Sequence, residues 1–173
     1  MAFSGNPDAP YDPPYPLTNF PSGVNSRKRP VMGSALVLTS AQLLALQTTA
    51  VVIEPSPSTV AVAGKVNLLL VVEGMTLEYV FNSVAYTIGN ANNAFQLEYI
   101  GKTTALASAN ATGLVDQAAS SNVSVLASAA GNLSNANSAN LGLELKLVGT
   151  TPALTLGNGT LKVVVRWSVV ALD

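Results

Sequence analysis

The sequence contains no cysteine and no histidine. Without cysteine there are no disulfides, no thiolate metal ligands and no thiol nucleophile. Without histidine the commonest general base and the commonest metal ligand are missing as well. Charge is scarce: 8 basic and 9 acidic residues make up 10% of the 173 residues, where about 25% is usual for a soluble domain. The net charge of −1 creates no field that would gather nucleic acid or an anionic membrane. No apolar run reaches the ~18 residues of a spanning helix. Residues 1–10 have no basic start and no apolar stretch, so no secretory signal is expected there. The Asn-x-Ser/Thr sequons at Asn110, Asn122, Asn132 and Asn158 are read as chance in a chain rich in these residues.

What is present is a chain that is 49% hydrophobic. As a monomer it would show water a bland surface of Ala, Ser, Thr and Asn, a solubility hazard. Burial of that surface between subunits, where charge is depleted, is the preferred reading.

Residues 1–34 differ from the rest. Seven of the ten prolines fall between positions 5 and 30, a density that blocks helix and removes ladder donors. An extended arm, partly polyproline II, is expected. Tyr11, Tyr15 and Phe20 lie between the prolines, and Arg27, Lys28 and Arg29 form a basic cluster where the arm meets the body. A mere spacer has no use for aromatics, so these six residues are the candidate partner-binding set. Three charges release too few counterions to hold nucleic acid well.

Residues 35–173 read as one β domain. A short strand at 35–38 precedes Thr39, an N-cap whose capping box is completed by Gln42, so one short helix is predicted over 40–46. Strands are predicted at 51–53, 65–73, 77–81, 96–100, 122–127 and 141–148. The run at 65–73 is apolar on both faces, as in a central or interfacial strand. Gly74 reads as a turn. Residues 154–156, Asn158-Gly159 and 161–172 read as a hairpin, with Leu161, Val163, Val165, Trp167 and Val169 on one face. Stretches 105–112 and 129–140 read as loops, with one helical turn at 113–118 capped by Thr112. The class is a β-sandwich or barrel.

Catalytic constellations are hard to find. Glu73 and Glu78 could converge across a turn at Gly74, the one carboxylate pair worth testing. Serine is abundant, but no histidine can activate it. Asn90, Asn92 and Asn93, or Asn132, Asn135 and Asn137, bring no carboxylate to balance a calcium ion. No cofactor and no metal is expected, and the chain is read as a non-enzyme.

Three segments resemble a known group. LTSAQLLALQTTAVVIEPSPS at 38–58, TLEYVFNSVAYTIGNANNAFQLEYIG at 76–101 and ATGLVDQAASSNVSVLAS at 111–128 look like small tailed-phage virion proteins of the capsid decoration (cement) or head-fibre type. The likeness covers most of residues 36–128 and leaves the arm out. It implies an all-β, jelly-roll-like sandwich; the one short helix and the extended N-terminal arm are read from the residues themselves and complete the expected fold. It also implies a homotrimer on the outer capsid surface of the virion, bound to the major capsid protein of a phage shell; the low charge adds that no nucleic-acid or membrane partner is expected. A receptor- or carbohydrate-binding module, with Tyr86 and Tyr99 as candidate aromatics, and a tail or baseplate component are the alternatives.

Overall fold

The computed structural model describes residues 31–56, 67–128, 138–149 and 154–172. Among them are β1 (Met32–Leu38), α1 (Ser40–Ala45), β2 (Val51–Glu54), β3 (Asn67–Val80), β4 (Thr87–Ile88) and β5 (Ala94–Tyr99). They continue with β6 (Ala107–Asn110), β7 (Ser121–Leu126), β8 (Leu143–Val148), β9 (Leu154–Thr155) and β10 (Thr160–Leu172). Two four-stranded sheets have the orders β1-β10-β3-β7 and β2-β8-β5-β6, and β4 pairs with β9 beside them. Every pairing is antiparallel. With the short β4–β9 ladder set aside, this is the strand order of a jelly roll. The protein is an all-β sandwich with one short helix.

The alternating apolar positions explain the core. Leu77, Val163 and Val165 of the first sheet and Leu97, Leu143 and Leu145 of the second are fully buried. They belong to one hydrophobic cluster, as the inner faces of a sandwich should. Trp167 joins it, as the periodicity of β10 predicts. At the edge, Thr39 caps α1, accepting from Gln42 N while Gln42 Oε1 accepts from Thr39 N at 2.9 Å. The capping box is present as the sequence predicts.

β3 departs from expectation. Gly74 is not a turn; the strand runs through it for 14 residues. Arg166 pairs with Gly74 and Trp167 with Val72, so Glu73 is an extra residue, a β-bulge. Next to the bulge on one side Leu70 and Val72 join the core, and on the other Met75, Leu77 and Tyr79 do. The extra residue switches the parity, so both halves of a long strand face one core.

Three further readings are corrected. Residues 154–156 do not form a hairpin with β10, because β1 and β3 occupy both of its edges; β9 pairs with β4 instead. The positive φ angles fall on Leu156 (56°) and Gly157 (85°) rather than on Asn158-Gly159. Within 105–112, residues 107–110 form β6, paired with β5. Residues 113–118 are a turn, since Gly113 has φ +82° and Leu114 and Val115 both donate to Ala111 O at 3.1 Å. Thr112 Oγ1 does not cap a helix there; it donates to Ala91 O at 3.4 Å.

The antiparallel order also sorts the connections. Segments 39–50, 81–93, 111–120 and the described parts of 149–159 gather at one end. They are tied together there: Leu147 N donates to Leu46 O (3.2 Å), Tyr86 N to Val115 O (3.1 Å) and Asn158 N to Val84 O (3.1 Å). The chain enters β1 from the opposite end.

Candidate interaction surface

Tyr11, Tyr15, Phe20, Arg27, Lys28 and Arg29 lie outside the described residues. The structure places the point where their segment joins the body. β1 is an edge strand, and it starts at Met32, paired with Trp167, so the sheet begins two residues ahead of Ser34. Ser34 is the pin. Its hydroxyl accepts from Trp167 Nε1 at 3.0 Å and donates to Glu54 Oε2. A single hydroxyl thus uses both roles open to it and links β1 to β10 in its own sheet and to β2 in the other.

The outward face of the first sheet carries little charge. One row across it is Val37, Lys162, Glu78 and Asn122; the next is Ala35, Val164, Thr76 and Ser124. Lys162 Nζ lies 3.2 Å from Glu78 Oε2, and with both side chains about half exposed the pair adds little stability. Thr76 and Ser124 share a hydroxyl hydrogen bond at 2.9 Å.

The second sheet holds a denser cluster. Glu98 and Glu144 face each other across β5 and β8, and both are buried. Like charges so placed repel. Lys146 Nζ resolves this, at 2.8 Å from Glu144 Oε1 and 3.1 Å from Glu98 Oε2, while also donating to Lys102 O at 3.3 Å. Gly101 N donates to Glu144 Oε1 at 3.0 Å. The hydrogen bond to Glu144, helped by Glu98, raises the Lys146 ammonium above its ordinary range against the opposing pull of burial. The cluster is a structural clamp across three strand positions, and sequence periodicity did not reveal it because Glu98 and Glu144 read as outward polar residues.

The catalytic and ligand candidates do not assemble. Glu73 and Glu78 sit on one continuous strand, five positions and about 15 Å apart at the usual rise. They do not converge across a turn. Among the described residues no group of three or more Asp or Glu side chains could hold a metal ion. Asn90 Oδ1 accepts from Asn92 N at 2.9 Å, a local turn contact, and Asn93 is buried; Asn132, Asn135 and Asn137 lie outside the described residues. Tyr86 and Tyr99 are not platforms for a sugar. Both are buried, donating to Gly159 O at 2.8 Å and Leu70 O at 2.6 Å. Among the described residues no helix is long and apolar enough to cross a membrane.

No family model matches the chain, and no curated protein does. Among solved structures it is similar to a chain of the cyanophage Pam1 capsid asymmetric unit, with a TM-score of 0.43 and 10% identity, covering 91% of this chain and 99% of that one.

Proposed function

We propose that the chain is a structural virion protein: a capsid decoration protein that binds and stabilises a phage head shell as an oligomer, a trimer, from the outer surface. It acts by adhesion and without catalysis. The observation that carries this reading is the root of the arm. β1 holds seven residues in register against β10 and is pinned through Trp167, Ser34 and Glu54. Residues 1–30, with their prolines, aromatics and basic cluster, are therefore joined to a body that carries little charge. Such a body offers a clamp a firm base, and several arms on one oligomer would multiply weak contacts into avidity. The resemblance of residues 36–128 to tailed-phage virion proteins supports the same reading.

The test is made on particles of the phage that encodes the chain. Mass spectrometry of gradient-purified virions and immunogold labelling should find the protein on the head. Label on the tail alone would favour the baseplate alternative, and absence from the particles would end the virion reading.

A further inference from the structure

The next row across the outward face of the first sheet is Gly33, Arg166, Gly74 and Leu126. Two of its four positions are glycine, so the backbone there is bare, as it is where another chain comes close. Leu126 is 81% exposed. Arg166 is exposed as well. Its Nη2 lies 3.4 Å from where a Cβ on Gly74 would be, so the guanidinium leans over β3 towards β7. Among the described residues no carboxylate pairs with it, Glu73 included. Lys162, two positions before it on β10, is already matched by Glu78. The row therefore presents one cation and one apolar side chain, two strands apart, which is about 10 Å at the usual strand spacing.

Residues 8–15 carry the complement. They read DAPYDPPY, two copies of Asp-x-Pro-Tyr. In the polyproline II conformation that the prolines favour, three residues complete a turn and advance about 9 Å. Each aspartate then shares a face with the tyrosine three residues on, at the separation of Arg166 and Leu126. Asp8 and Asp12 are the only charged side chains in residues 1–26. The tether selects this occupant. The segment joins the body at β1, whose Gly33 belongs to the row, and residues 16–30 can span up to ~50 Å, more than the width of the sheet. Linkage of that kind holds a ligand at a local concentration of about millimolar, above that of a free partner.

We infer that the Asp-x-Pro-Tyr repeat of residues 8–15 docks across this row of its own copy, with an aspartate on Arg166 and the following tyrosine against Leu126. The planar guanidinium matches a carboxylate fork to fork, and the tyrosine ring adds apolar area with a polar tip left in water. An exposed ion pair alone is worth little, so the contact needs both side chains and the tether. It goes beyond the adhesive role and requires no shell.

The absence of cysteine permits a direct test. A nitroxide attached through Ser4→Cys on the full, isotope-labelled chain should broaden the amide resonances of Gly74 and Leu126. That of Leu156, 68% exposed at the loop end, should stay sharp. Arg166→Gln, or Asp8→Asn together with Asp12→Asn, keeps the tether and should remove most of the broadening, as should high salt. Leu126→Ser should weaken it, read at Gly74. Dilution of the labelled chain into unlabelled copies should leave it unchanged. Broadening that is absent, or that survives both charge substitutions, overturns the inference. Broadening lost on dilution puts the repeat on a neighbouring copy and overturns the contact within one chain.

Discussion

Tyr99 and Tyr86 tie individual residues to the stability of the whole sandwich. Burial pushes both phenols up to about 12, with Tyr79 adding to the effect at Tyr86. Tyr79 and Tyr86 meet edge to face with ring centroids 6.0 Å apart. An unfolded tyrosine ionises near pH ~10, so the folded state holds these protons more tightly. The stability this represents is intact below pH ~10 and is lost as pH rises from there through the folded values. The raised Lys146 acts with the same sign. The melting temperature should therefore be flat towards pH ~10 and fall steeply above it, with tyrosinate absorbance at 295 nm appearing as the chain unfolds. Tyr99→Phe should flatten that fall and cost about 1 kcal/mol at neutral pH, because Leu70 O loses its donor. An alkaline limb of unchanged slope in Tyr99→Phe would remove Tyr99 from the account. Gly159 tests packing at the same scale. A Cβ there would sit 2.4 Å from the Tyr79 ring and 2.7 Å from Val80 O. Gly159→Ala should cost about 2 kcal/mol in chemical denaturation, since a backbone oxygen cannot step aside as a flexible side chain would.

At the scale of the element, the bulge in β3 and the clamp on β8 decide whether strands keep their faces. Deleting Glu73 would restore a straight ladder and turn either Leu70 and Val72 or Met75, Leu77 and Tyr79 out of the core. That variant should fail to give a cooperative thermal transition, whereas Glu73→Ala, a change at an exposed side chain, should shift stability by less than ~0.5 kcal/mol. Lys146→Met should cost about 3 kcal/mol, because Glu98 and Glu144 would remain buried and facing each other; a variant as stable as the parent would show that water reaches the pair. These elements also show what could be read ahead of the structure. β8 and β10 were legible because large aliphatic side chains recur there at every second residue. The capping box around α1 was legible because its chemistry is local. β6 was not, since Ala107 and Ala109 are too small to print a hydrophobic period. Asn158-Gly159 was misread because a turn dipeptide says nothing about which strands it joins. The bulge was invisible because a glycine after an apolar run looks like an ending. The exposure of Leu156 could not be foreseen, since a leucine in sequence signals burial.

At the scale of the molecule, truncation tests whether the body and residues 1–30 contribute separately, as proposed. A chain starting at Ser34 would remove Met32 and Gly33 from β1 and with them the pairs to Trp167 and Arg166, confusing loss of the arm with damage to the sheet. A chain starting at Val31 keeps all seven residues of β1 and the Trp167–Ser34–Glu54 contacts. It should melt within a few degrees of the full chain, because no described ladder or core residue is lost. If self-association resides on the sandwich, its native mass should remain the same multiple of the 17.7 kDa chain less the deleted arm. If the protein decorates a phage shell as proposed, binding to that shell should fall away, since each missing arm would remove one term from a multivalent contact. Replacing Arg27, Lys28 and Arg29 by Ala in the full chain should act more mildly: on the proposed role, shell occupancy should drop at low salt and lose most of its salt sensitivity, because salt screens the charge pairs such a cluster would make. Equal shell binding by the chain starting at Val31 and the full chain would move the adhesive surface from the arm onto the sandwich, and the low-charge outer face of the first sheet would be the next place to substitute.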